Sequence, residues 1–198
     1  TVEEPALKTT TWFENAESLV SVVASHDITH TLDSKDRGIH FDFLLRSFSN
    51  TKNINSVYIA YDDGDFYLVR RIPSQNNRSS FLNAPENTRY VLQISEKDNR
   101  QNTGRYRYYD ESLTFITEVK ALDYAQFDPR TRHWYQLAMA QHHAVTADPY
   151  VFFTTKEIGT TIALKSKTNR AIIATDISLS RLNEFLSDFK TTQSTKVT

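Results

Sequence analysis

From about Thr11 to Leu32, the positions Trp12, Ala16, Leu19, Val23, His26 and His30 recur at steps of four, three, four, three and four. A period near 3.5 puts them on one stripe of a helix, and such a stripe packs against something. Asp33-Ser34-Lys35-Asp36 interrupts the pattern, and Ile39, Phe43, Leu44 and Phe48 predict a second, shorter helix ending near Asn50. The period then changes. Val57 to Tyr61, the acidic stretch Asp62-Asp63-Gly64-Asp65, and Phe66 to Val69 read as two strands joined by a tight turn. Pro73 to Asn87 is a polar loop, followed by strands at Arg89 to Ile94, Arg105 to Asp110 and Leu113 to Val119, with a polar turn from Asp98 to Gly104. Asp128-Pro129 is a helix start, an acceptor for orphan amides followed by a residue that needs no N–H, and the helix is expected to run to about Gln141. Tyr150 to Thr155, Thr160 to Leu164 and Ala171 to Thr175 read as strands, and Ser178 to Phe189 returns to helical spacing through Leu179, Leu182, Phe185 and Leu186. Runs of strands with helices at both ends and one in the middle give an α+β class around a central antiparallel sheet.

Composition narrows the function classes. With 23 Lys+Arg against 24 Asp+Glu, the 198-residue chain carries a formal net charge of −1, which lacks the basic excess of a duplex nucleic-acid binder. Its 4 glycines, Gly38, Gly64, Gly104 and Gly159, are too dispersed for a dinucleotide or P-loop phosphate cradle. The absence of cysteine excludes disulfides, thiolate metal sites and thiol nucleophiles. No apolar run approaches a membrane span. The chain opens at Thr1 without a methionine, as an excised piece of a longer protein does.

The densest chemistry lies in Phe127-Asp128-Pro129-Arg130-Thr131-Arg132-His133-Trp134-Tyr135, followed by Asp148-Pro149-Tyr150 and by Asp176-Ile177-Ser178-Leu179. These stretches resemble the double Cache family of extracytoplasmic sensor domains in bacterial chemoreceptors, histidine kinases, and cyclic-dinucleotide cyclases and phosphodiesterases. That family carries Y-D-P-R-x-R-P-W-Y, a P-Y strand, a G-x-T strand and a strand ending in G-x-D-I-x-L. The resemblance covers nearly the whole chain and implies a long N-terminal helix followed by a PAS-like lobe.

In the amino-acid-binding subgroup, the resemblance implies ligand contacts from Arg132, Trp134, Tyr135 and Asp176, with Tyr150 as a further pocket tyrosine. Phe127 stands where the subgroup has tyrosine, and His133 stands where proline is usual, facing solvent. The implied roles are chemically coherent: a guanidinium offers a planar fork to a carboxylate, an indole N–H adds a donor, and a carboxylate with a tyrosine hydroxyl receives an ammonium. The loss of the Phe127 hydroxyl widens the expected ligand to an amino acid, an amine or a carboxylate. The same residues have plainer readings, with Asp128 as an N-cap, Trp134 and Tyr135 as core aromatics, and Arg132 paired to a surface carboxylate.

Other candidates are weaker. His26 and His30 have the i, i+4 spacing of zinc ligands but lack a third ligand, so they read as packing positions and no metal site is expected. Asp62 to Asp65 resembles a calcium loop without the later bidentate glutamate, so it reads as a turn. Arg105 to Tyr109 interleaves basic and aromatic residues as single-strand binders do, and an alternating strand with one solvated face gives the same letters. His142 and His143 suit the C-terminus of a helix. No nucleophile motif is present, so no catalytic residues and no cofactor are expected.

Together these expectations describe a stalk or dimerisation helix over 1–34, a ligand-binding lobe over 35–190 and the start of a second, membrane-proximal lobe over 191–198. The function expected is extracytoplasmic, periplasmic-side sensing of a small molecule, with homodimerisation through the N-terminal helix and membrane anchoring by flanking segments. The second reading is a PAS-like protein-interaction or scaffold domain with no small ligand.

Overall fold

The structure, a computed structural model, describes residues 3–51, 54–72, 81–98 and 101–180. In chain order it has α1 (Glu3–Ala24), α2 (Ser34–Ile39), α3 (Phe41–Ser49), β1 (Ser56–Tyr61), β2 (Phe66–Arg71), β3 (Tyr90–Glu96), β4 (Thr103–Tyr109) and β5 (Phe115–Lys120). There follow α4 (His133–Met139), β6 (Val145–Thr146), β7 (Tyr150–Val151), β8 (Ile158–Lys165) and β9 (Ala171–Ser178). The strands form one antiparallel sheet in the order β5-β4-β3-β2-β1-β9-β8-β6, with β7 also paired to β8. The α+β class expected from the sequence is the class observed.

Both faces of the sheet are covered at its centre, so β1 and β9 are buried along their whole length. Side chains still alternate between faces. Val57, Ile59, Tyr67, Val69 and Ile173 meet Ala16, Val20 and Val23 of α1 and Leu44 and Phe48 of α3 in one core. Tyr58, Ala60, Phe66, Leu68, Ile172 and Ala174 turn the other way, toward Tyr124, Trp134 and Ala138. The candidate site lies in this second layer.

α1 ends at Ala24, earlier than the expected Leu32. The His26 Nδ1 accepts from the Ile28 N–H at 3.1 Å, and the Thr29 hydroxyl donates to the His26 carbonyl at 2.9 Å, so local side-chain bonds close a 3-10 turn over Asp27–Thr29 instead of continuing the helix. His26 stacks on Phe43 at 3.5 Å and His30 is exposed, so the two imidazoles do not share a helical face. The rest of the stripe, Trp12, Ala16, Leu19 and Val23, is buried within the chain itself. A second copy would meet a different face of α1, where Val22 is 56% exposed.

The acidic stretch is a hairpin turn, as its plainer reading held. Gly64 sits at φ +95°, and a Cβ there would lie 2.9 Å from Arg130 Nη2. The fully buried Arg37 of α2 donates to Asp63 Oδ2 at 2.7 Å and Asp65 Oδ2 at 2.6 Å, with its guanidinium 3.6 Å from the Tyr61 ring centre. This clamp holds the β1–β2 turn against the helical layer. Arg105 and Arg107 of β4 pair with Glu96 and Glu118 along the sheet, which accounts for the basic and aromatic alternation there. The predicted helix from Ser178 to Phe189 and the expected second-lobe segment 191–198 lie almost wholly outside the described residues.

Candidate functional site

The site begins with strand register. Arg70 of β2 lies opposite Ser56 of β1, Ser56 opposite Asp176 of β9, and Asp176 opposite Thr161 of β8. Four polar residues therefore stand abreast on one face of the sheet, each with no more than 6% exposure. The Asp176 carboxylate accepts hydrogen bonds from the hydroxyls of Tyr58 at 2.7 Å, Thr161 at 2.8 Å and Ser56 at 3.1 Å. Since Thr161 gives its only proton to Asp176, the Tyr150 hydroxyl 2.7 Å away donates to Thr161. Burial raises the Asp176 pKa, opposed by the Tyr58, Thr161 and Ser56 hydroxyls and by Arg70. Burial also raises Tyr58 and Tyr150, and the Asp176 charge adds to both.

The motif segment covers this row. The Asp128 carboxylate caps a 3-10 turn over Pro129–Thr131 by accepting from the Arg130 N–H at 3.0 Å, as its N-cap reading held. The Arg130 guanidinium forks onto the same carboxylate at 2.9 and 2.7 Å and donates to the Asp62 carbonyl at 3.2 Å, tying the motif to the β1–β2 turn. The helix expected from Asp128 to Gln141 is thus split. The capping bond supports a single turn, the backbone at Arg132 is extended (φ −86°, ψ 141°), and α4 starts anew at His133, which is exposed.

That break presents Arg132. Its side chain lines the cavity and, among the described residues, makes no hydrogen bond and no ion pair, so the surface-pair reading of Arg132 does not describe it. Trp134 lines the same cavity and packs edge-on against Tyr58, with ring centres 5.1 Å apart. Phe127 forms an aromatic wall, stacked on Tyr124 at 5.7 Å and close to Phe66 at 4.8 Å and Phe153 at 5.2 Å.

Of the six expected contact residues, Arg132, Trp134, Tyr150, Asp176 and Phe127 converge on one cavity. Tyr135 does not: it is buried in the apolar layer beside Trp134 and does not line the cavity. Successive helical residues point about 100° apart, so α4 directs only one of the two neighbours into the cavity. The sequence reading missed Tyr58, Phe66, Leu68, Arg70, Tyr124 and the segment Phe152–Thr154, all of which line it. For Arg70 the strand spacing gives only its place on the face of Phe66 and Leu68, not what that face meets.

The cavity measures about 30 Å³, room for little more than water. Phe152, Phe153 and Thr154 close one side, and a Cβ on Gly159 would lie 2.3 Å from the Phe152 ring, so this glycine seats the closing segment. A larger groove of about 520 Å³ between α1 and α3 is lined by residues such as Trp12, Asn15, Val22 and Asn50 and contains no titratable side chain.

No family model matches the chain. Among curated proteins, Adenylate cyclase 1 of Rhizobium meliloti (strain 1021) is 30% identical over 176 residues, which is 87% of this chain and 26% of that protein. Among solved structures, the ligand-binding domain of the Pseudomonas fluorescens chemoreceptor CtaA, in complex with L-isoleucine, superposes with a TM-score of 0.52 at 17% identity, covering 91% of this chain and 54% of that one. The sensory domain of the Campylobacter jejuni chemoreceptor Tlp3 gives a TM-score of 0.52 at 14% identity, covering 88% and 54%. The chain therefore shares the fold of chemoreceptor ligand-binding domains and spans about half their length.

Proposed function

We propose that the chain is the ligand-binding lobe of an extracytoplasmic sensor of the double Cache kind, part of a membrane-anchored bacterial signalling protein, and that it binds an amino acid, an amine or a carboxylate in the cavity beneath Arg132. The observation that carries this reading is the convergence of an unpaired guanidinium, an indole and a buried carboxylate on one cavity. Arg132 holds an anionic group and Asp176, with one acceptor site left beside its three hydroxyl donors, receives an ammonium. The fold shared with chemoreceptor domains, and the curated relative named as a cyclase of which this chain covers 26%, support a sensory lobe attached to a separate output region. The lobe itself has no catalytic role in this reading. A second, membrane-proximal lobe follows it.

A route from site to output is built into the sheet. Asp176 lines the cavity and Thr161 donates to it from β8, while Ile162 and Ile177 on the same strands enter the core that holds α1. A ligand that shifts β8 or β9 thereby biases the seat of α1, a population shift between two packings. The division at residue 34 is then one of topology, since α1 shares the core of the lobe.

A thermal-shift screen of amino acids, amines and carboxylates on the wild type and on Arg132→Ala tests the reading. Stabilisation of the wild type that vanishes in the variant is expected. Stabilisation that survives in Arg132→Ala removes Arg132 from the anion-binding role, and no stabilisation by any compound overturns the sensor reading. That last outcome favours the protein-interaction reading, for which the specific observation is the 30 Å³ cavity already filled by aromatic side chains.

A further inference from the structure

Arg70 is a second cation in the same cavity. It shares the inward face of β2 with Phe66 and Leu68, and only 6% of it is exposed. Its Nε donates to Gln93 Oε1 at 2.7 Å, and among the described residues the guanidinium makes no other hydrogen bond and no ion pair. The carboxylate in its row, Asp176, lies two strands away, which places the two Cα atoms roughly 10 Å apart. Ser56 stands between them and gives its hydroxyl to Asp176. Burial draws the Arg70 pKa below the usual arginine value, a direction that follows from a charge taken out of water and only partly offset by the Asp176 charge, with which it makes no direct ion pair.

A buried guanidinium with one neutral partner is an unmet demand for an anion. Arg132 makes the same demand from the motif segment. With Asp176 ionised, the cavity holds two positive charges and one negative. A ligand with one ammonium and one carboxylate leaves that imbalance in place, whereas one further acidic group cancels it.

We propose that Arg70 binds a second acidic group on the ligand, so that the cavity selects an amino acid with an acidic side chain. The ammonium lies at Asp176, one carboxylate at Arg132 and the other at Arg70, with Phe66, Leu68 and Phe127 against the aliphatic part. This specificity rests on the amino-acid form of the function proposed above.

Calorimetric titration of the 198-residue chain with L-aspartate, L-glutamate, L-asparagine, L-glutamine and L-alanine tests it. An acid is expected to bind at least about tenfold more tightly than its own amide, the scale of one charge-assisted hydrogen-bonded contact. The preference is expected to vanish in Arg70→Gln and to persist in part in Arg70→Lys. If the amides or alanine bind the wild type as tightly as the acids, the Arg70 proposal falls and the amino-acid reading stands. If none of the five binds, both fall for amino acids, and the wider screen decides between other ligands and none. A folded Arg70→Gln protein that keeps the acid preference overturns the assignment to Arg70. Should that variant not fold by circular dichroism, the acid-to-amide comparison on the wild type still decides.

Discussion

At Asp176 a carboxylate is buried among three hydroxyl donors without an ion pair, and its pH dependence follows from that arrangement. Burial raises its pKa above the ordinary 3.8, so the folded state holds the proton more readily than the unfolded chain does. Its contribution therefore becomes less favourable as pH rises from the ordinary carboxylate value through the raised one. Asp176→Asn removes that titration while keeping an acceptor for Tyr58 and Thr161. Its stability relative to wild type is expected to be greatest near neutral pH and to decline on acidification toward about pH 4, read by urea denaturation at several pH values. A difference that stays flat with pH would contradict the burial argument. At this scale the motif made Arg132 and Trp134 legible. Arg70 was not, because an arginine in a strand reads the same whether its face meets water or a second layer, and only the Tyr124 to α4 segment above it decides.

Among the elements, α1 tests where the N-terminal stripe belongs. Ala16 is fully buried in the core shared with the sheet, while Val22 on the outer face is 56% exposed. Ala16→Leu is expected to destabilise the isolated chain by about 1–3 kcal/mol through overpacking, and Val22→Lys to stay within about 0.5 kcal/mol of wild type. Denaturation at two protein concentrations checks this, since a stripe that packed on a second copy would make the Ala16→Leu effect depend on concentration. The period of the stripe was readable because it is local. The end of α1 was not, since the histidines keep the spacing while His26 leaves the helix to cap a 3-10 turn and stack on Phe43. The same holds for Asp128: its cap was readable, but the break at Arg132 came from the fold.

For the whole molecule, a cavity of 30 Å³ admits the proposed ligand only if the Phe152–Thr154 segment on its side moves. Phe153 is 47% exposed and rests against Phe127 and Lys156, whereas Phe152 beside it is buried. Hydrogen exchange at the amides of residues 152–155 is expected to slow when a ligand from the screen saturates the chain, while exchange in β1 and β9 changes little. Protection confined to the α1–α3 groove would instead place the ligand there. Saturation at about one hundred times Kd adds about 2.7 kcal/mol to the stability of the folded state, enough for the thermal screen to register.

The amino-acid sequence by itself determined the longer strands of the lobe and their order among its helices, the acidic hairpin turn, the Asp128 cap and the motif around Arg132, because each is written in residues close together in the chain. It did not determine β6, the end of β7 at Val151 where a strand to Thr155 is expected, or the helix breaks at Ala24 and Arg132. Tertiary structure alone decided which side chains share the cavity. The register of β2, β1, β9 and β8 set Arg70, Ser56, Asp176 and Thr161 abreast, the turn of α4 left Tyr135 outside, and the sheet took up the stripe of α1. The physical reason is that local periodicity fixes which residues share a face of an element, whereas what that face meets depends on pairings between residues more than one hundred positions apart, as Ser56 is from Asp176.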